Sequence, residues 1–150
     1  MKTLADPETS VAIRQRICRI RFDSTRAWGK MTPHQMLCHL SDSYQMALGR
    51  RPLRDVSTWT SRTIIKTVAL NSPIKWPKNI PTLPQAEQGK GGTPPVDFEQ
   101  DRLLLLEGIA LFLNADLTQS KHPTFGRMTT KEWMRWGFLH PDHHLRQFGQ

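Results

Sequence analysis

In its last thirteen residues, FLHPDHHLRQFGQ, this 150-residue chain places three of its six histidines: His140, His143 and His144. An imidazole can bind a metal, exchange a proton near neutral pH, or serve a buried hydrogen bond. Spacing begins to separate these uses. On a helix, His140 and His144 are four apart and lie one above the other on a single face. Trp133, Trp136 and Gly137 precede them on about the same side, which turns that face inward. Two imidazoles so placed can share one ion, as in H-E-x-x-H zinc sites. His143 lies about 100° around the helix from His144. It could replace His140 as a ligand, support the ligands from behind, or face solvent.

A third ligand has to come from a facing helix, and MLCHLSDSYQMALG offers one. His39 shares a stripe with Met36, Leu40, Ser43 and Ala47, so it points into the protein. A lone histidine on such a face is more often a satisfied core residue than a ligand. The H-x-x-x-H elsewhere shifts that balance, because three buried imidazoles would otherwise each need a separate hydrogen-bond partner. His34 points well away from His39, and Cys38 is turned away from it by the same helical arithmetic, into the core. His122, in HPTFG, sits on a loop where structural and functional readings stand equal. Asp42, three residues after His39, is the nearest candidate acid or base, and equally an orienting or solvated carboxylate; Asp142 lies off the His140–His144 face. Cys18 and Cys38 form neither a disulfide framework nor, by spacing, a Cys2His2 finger.

The elements that must position these residues announce themselves by capping chemistry. TPHQ, DFEQ and TTKE each put a cap residue (Thr32, Asp97, Thr129) three positions before a Gln or Glu that can reach back, and an apolar helical pattern follows. Asp6-Pro7 starts an earlier helix with the stripe Ile13, Ile17 and Ile20. Another is expected over Ser57–Leu70, carrying Trp59, Ile64, Ile65 and Val68. Leu103–Leu113 is apolar almost all round and is expected to be the most buried helix. Pro141 removes a backbone donor and crowds the carbonyl of Gly137, which predicts a kink or a restart after His140. Six of the eleven prolines fall in the loop at about 72–95, expected to be a lid, a binding loop or decoration. No run alternates with the period of a strand. The expected fold is all-α: an antiparallel four-helix bundle with one additional helix and a long Pro-rich loop, a single domain over 1–150.

Composition narrows the function classes. An apolar share of 37% with 8% aromatic residues suits a folded globular chain. The most apolar run, LLLLEGIALFL, is too short to span a bilayer and contains Glu107, so no membrane is expected and cytoplasm is the default location. Twenty-one Lys and Arg against thirteen Asp and Glu give +8, a balance that favours anionic partners. The cations are not clustered or interleaved with aromatic residues, which disfavours nucleic acid.

Two stretches, WGKMTPHQMLCHL at 28–40 and HPTFGRMTTKEWMRWGFLHPDHHLRQFG at 122–149, resemble the DinB-like superfamily. They fit best a branch of small uncharacterised bacterial proteins, and the likeness spans nearly the whole chain. The resemblance implies a four-helix bundle holding a divalent metal on three histidines, one from the second helix and two from an H-x-x-x-H on the last. Carried onto this sequence, the ligands are His39, His140 and His144. Nitrogen ligands suit zinc or nickel best, then iron or manganese. Characterised members of the superfamily resemble transferases that use a low-molecular-weight thiol, and others are called metal-dependent hydrolases. The expectation is therefore a metal-dependent thiol transferase, with a hydrolase or a non-enzymatic metal-binding or stress-response protein as alternatives. Its expected partners are a small-molecule substrate or thiol and, in assembly, a second copy as a homodimer. No catalytic acid or base is assigned.

Overall fold

The computed structural model describes residues 1–150. Five helices dominate it: α1 (Pro7–Arg19), α2 (Pro33–Ala47), α3 (Lys66–Asn71, entered through a π-helical turn at Ser61–Ile65), α4 (Phe98–Asn114) and α5 (Thr130–Gln147). A two-residue antiparallel hairpin precedes α5. It pairs β1 (Lys121–His122) with β2 (Gly126–Arg127), with Lys121 opposite Arg127 and His122 opposite Gly126. Helices α1, α2, α4 and α5 pack as a bundle, with α2 lying against both α4 and α5 and α1 against α5. No helix is long and apolar enough to cross a membrane.

Each expected start is a formed cap. Asp6 accepts from Thr9 N at 3.2 Å, and Asp97 from Gln100 N at 2.8 Å. In α2 and α5 the exchange is reciprocal: Gln35 N donates to Thr32 Oγ1 (3.1 Å) and Glu132 N to Thr129 Oγ1 (3.2 Å), while each third side chain accepts from the cap N–H. Caps of this kind contribute about 1 kcal/mol each. The Ile13–Ile17–Ile20 stripe is fully buried, meeting Leu40 and Tyr44 of α2, Ile109 and Phe112 of α4, and Trp133 and Leu145 of α5 in one core. Burying such side chains contributes about 1.5–3 kcal/mol apiece.

Three expectations need correction. First, α4 is not the most buried helix. It buries only Leu105, Gly108, Ile109 and Phe112, while Leu103 stays 59% exposed. Twelve of the fifteen residues of α2 are buried, although that helix carries His34, His39, Asp42 and Ser43. An apolar composition lets a helix be buried, but the number of neighbours decides whether it is. Helix α2 has neighbours on several sides because its polar groups find partners there. Second, the segment at Ser57–Leu70 turns its apolar residues outward: Trp59, Ile64, Ile65 and Val68 are exposed and only Ser61 and Leu70 are buried. Its π-helical turn shifts the angular register on which a regular helical pattern depends.

Third, of the kink or restart expected at Pro141, the restart does not occur: α5 runs unbroken from Thr130 to Gln147. The proline takes away the N–H that Gly137 O would accept four residues on. The Tyr44 hydroxyl of α2 donates to that carbonyl at 2.7 Å, so the disruption is satisfied across the bundle. Gly137 itself marks a close approach, since a Cβ there would lie 2.8 Å from Phe112 Cε1 and 3.1 Å from Leu4 Cδ1.

The Pro-rich stretch between α3 and α4 carries no helix, but it is tied down. Thr93 donates to the buried Asp42 carboxylate through N (2.8 Å) and Oγ1 (2.6 Å), and Arg51 reaches Thr93 Oγ1 at 2.9 Å. Arg54 N adds a bond to Gln85 Oε1 at 2.9 Å. These ties hold residues 85–93 against α2, with the Ala86 carbonyl at His39.

Candidate metal centre

His39 from α2 and His140 and His144 from α5 meet inside the bundle. Their ring centroids stand 4.8–5.1 Å apart, with the rings steeply inclined to one another. One ligand atom from each can be chosen so that all lie within 4.8 Å. His39 and His144 are buried and His140 partly so. Trp136 and Trp76 lie against His140, with ring centroids at 5.2 and 6.1 Å.

Neighbouring groups decide which nitrogen of each ring is free. His39 Nδ1 lies 3.3 Å from Ala86 O, a carbonyl that can only accept, so Nδ1 carries the hydrogen and Nε2 keeps its lone pair. His144 Nδ1 lies 3.2 Å from Gln147 Oε1. The orientation of that amide is fixed because Gln147 Nε2 donates to Trp28 O at 2.6 Å. Its oxygen must then face His144, whose Nδ1 donates and whose Nε2 is left free. His39 Nε2 and His140 Nε2 are 3.2 Å apart. Two nitrogens bound at about 2.0–2.1 Å to a tetrahedral zinc are about 3.3–3.4 Å apart, so this pair already stands near the separation a shared ion requires.

Charge agrees with geometry. Burial drives His140 and His144 well below the ordinary imidazole value, with neighbouring imidazoles adding to the effect, and burial lowers His39 too. All three are neutral at pH 7, the form that binds a metal. The donor set, its tautomers and its spacing fit a divalent cation.

The remaining candidates fall elsewhere. His143 is buried between Trp28 and Trp76, with ring centroids at 6.0 and 6.2 Å, and its Nδ1 has no hydrogen-bond partner. His122 stacks on Phe125 at 4.6 Å, and its Nδ1 accepts from Thr124 N and Phe125 N, both at 3.2 Å. Burial takes its pKa down to about 3. That ring caps the β1–β2 turn. Asp42 is engaged by Thr93 and by Arg51 at 3.3 Å, so it fastens the loop and is not aimed at the triad. Asp142 pairs with Arg16 (2.8 Å) and Arg146 (2.9 Å), away from the histidines. Cys18 and Cys38 are both free thiols, and burial followed by the charge of Asp101 pushes Cys38 up to about 12.

Two positioning groups escaped the sequence reading. Gln147 is three residues after His144 and therefore on its face, a signal that was present. Gly29 belongs with it: φ is +78°, and a Cβ there would collide with the Gln147 amide, which gives the Trp28-Gly29 pair its role. Ala86 left no signal, since a backbone carbonyl can come from any residue the loop lays over His39.

A family model described as "Protein of unknown function (DUF1569)" matches residues 8–150, and the chain belongs to that family. No curated protein and no solved structure matches it.

Proposed function

We propose that this member of the DUF1569 family is a DinB-like metal protein in which His39, His140 and His144 hold one divalent ion, and that it acts as a metal-dependent transferase using a low-molecular-weight thiol. The observation that carries the metal assignment is the tautomer pattern. Ala86 O and Gln147 Oε1 take the Nδ1 hydrogens of two rings and leave their Nε2 lone pairs free, in a group whose ligand atoms lie within 4.8 Å of one another. Placement in the DinB-like superfamily draws support from the bundle and from the origin of the ligands, one on the second helix and two on the last. Zinc or nickel suits three nitrogens best, with iron or manganese after them.

Three protein ligands leave positions open, the arrangement of catalytic rather than structural sites. An ion held there would lower the pKa of a thiol or water bound beside it and so supply a nucleophile at neutral pH. The chain's own part is to keep the imidazoles neutral by burial and fix their tautomers through Ala86 and Gln147. The rings of Trp76 and Trp136 enclose one side of the site. A hydrolase would use the same site. A non-enzymatic metal-binding role is favoured by a separate observation: the nearby carboxylates, Asp42 and Asp142, are engaged in ties of their own.

The test uses cobalt in the Cys38→Ser protein, so that the buried thiol of the chain cannot contribute. Adding a low-molecular-weight thiol should produce a sulfur-to-cobalt charge-transfer band, and any thiol-transfer activity of the native-metal protein should vanish on chelation. Bound cobalt whose spectrum several thiols leave unchanged would remove the basis of the transferase reading. The hydrolase and non-enzymatic readings would then move ahead.

A further inference from the structure

On another face of α2 a second set of donors converges. His34 and Cys38 are four residues apart and so share a face, and Asp101 meets them from the first turn of α4. His34 Nε2 lies 2.7 Å from Asp101 Oδ2, and the Cys38 thiol donates to the same oxygen at 3.5 Å. Val96 N donates to it as well, at 3.1 Å. His34 and Cys38 are buried, and Asp101 nearly so. We propose that His34, Cys38 and Asp101 form a second metal site, one that takes zinc and ties α2 to the start of α4.

The donor chemistry comes first. An imidazole nitrogen, a thiolate sulfur and a carboxylate oxygen are the three ligand types zinc accepts, and here one atom of each lies within 4.8 Å of the others. With Zn–S at about 2.3 Å and Zn–O at about 2.0–2.2 Å, tetrahedral sulfur and oxygen ligands sit about 3.5–3.6 Å apart. Cys38 Sγ and Asp101 Oδ2 already stand at 3.5 Å. The imidazole–carboxylate pair, now 2.7 Å apart and sharing a hydrogen, has to open by about 0.6 Å to reach the separation of two zinc ligands.

The second line is charge. Asp101 makes no ion pair with any lysine or arginine; the chargeable groups beside it are the His34 ring and the Cys38 thiol. A carboxylate this sheltered and without a permanent cation leaves a site short of positive charge. Zinc makes up that shortfall while releasing the thiol hydrogen to solvent, since a coordinating thiol is deprotonated outright. The hydrogen now between His34 Nε2 and Asp101 leaves that nitrogen for solvent while Nδ1 of the same ring carries one, so the ring binds as a neutral imidazole. A thiolate and a carboxylate then balance the dication.

The third line is access and rigidity. Cys38 and Asp101 line a cleft of about 290 Å³ with Ser41, Asp42, Thr93 and Arg51; neither His34 nor His39 lines it. It offers a path for the ion and space for a water as fourth ligand. The His34 ring is held edge-on by Phe98 at 5.3 Å and Phe22 at 6.4 Å, and Val96 N pins the carboxylate. The His34 ring and the Asp101 carboxylate are therefore held close to ligand positions, short of the opening of about 0.6 Å.

The triad contains no sulfur, which makes the two sites separable by spectroscopy. Cobalt is titrated into the protein without any added thiol, in wild type, Cys18→Ser, Cys38→Ser, His34→Gln and His144→Ala forms. The expected result is a sulfur-to-cobalt charge-transfer band in wild type that persists in Cys18→Ser and His144→Ala and is absent from Cys38→Ser. In His34→Gln, which keeps the thiol and serves where Cys38→Ser fails to fold, the cobalt needed for half-saturation of the band should rise at least tenfold. No band at saturating cobalt, a band that survives Cys38→Ser, or one that His34→Gln leaves unmoved overturns the site.

Discussion

His122 and His144 are both enclosed imidazoles in the same half of the bundle, and burial lowers the pKa of each. Their hydrogen bonds run in opposite directions. His122 Nδ1 accepts from two backbone N–H groups, which uses up its lone pair on the turn. His144 Nδ1 donates to Gln147 Oε1, which frees the lone pair on Nε2. Burial and a depressed pKa therefore do not distinguish a ligand from a structural ring. The partner of the other nitrogen does.

The contrast breaks most completely if the triad is removed. Alanine at His39, His140 or His144 should abolish the ion held there and lower thermal stability in metal-containing buffer. An ion present at 100 times its dissociation constant stabilises by about 2.7 kcal/mol, and that increment should disappear from a melting curve taken with and without chelator. Retained occupancy in any one of these variants would remove that residue from the set. Gln147→Leu should act less severely. It keeps the bulk but leaves His144 Nδ1 without its acceptor, and equilibrium metal binding should weaken by about 10–100-fold. An unchanged affinity would mean that the Gln147 amide does not set the tautomer.

His122→Leu sharpens the other half of the comparison. Metal content should stay at wild type while the fold loses about 1–3 kcal/mol in urea unfolding, because the Thr124 and Phe125 N–H groups lose their acceptor. The pH dependence should change as well. A ring whose pKa is about 3 when folded and about 6.5 when unfolded takes up protons on unfolding, so acid favours the unfolded chain. Stability should fall as pH drops below about 6.5, and the fall between pH 6.5 and 5 should be shallower in the variant by about 2 kcal/mol. Equal slopes would indicate that His122 is not held neutral by burial. The smallest effect is expected from His143→Ala, whose bound-metal stoichiometry should remain near wild type. A loss equal to that of His144→Ala would place His143 among the ligands.

Much of this was legible in the sequence. The three capping tetrads and the isoleucine stripe mark where helices start and which way they face, because local hydrogen bonds and periodicity need no knowledge of neighbours. The four-residue spacing of His140 and His144, with His39 on an inward stripe, brings these three rings together for the same reason. What failed depended on neighbours. The exposure of Leu103 and Leu104 reflects how few elements pack on α4. The unbroken passage through Pro141 rests on Tyr44, 97 positions earlier in the chain. Ala86 and Asp101 act through a loop and a helix–helix contact that no spacing reveals. The His34–Cys38 pair did carry a four-residue signal, but its third member lies on another helix.

The central claim, that three imidazoles converge on one ion, is tested most directly by X-ray absorption at the metal edge of Cys38→Ser protein loaded with one equivalent of zinc. Three imidazole nitrogens at about 2.0–2.1 Å are expected, and in the His140→Ala protein that imidazole scattering should be lost together with the zinc. A shell without imidazole scattering, or one that His140→Ala leaves unchanged, would contradict it.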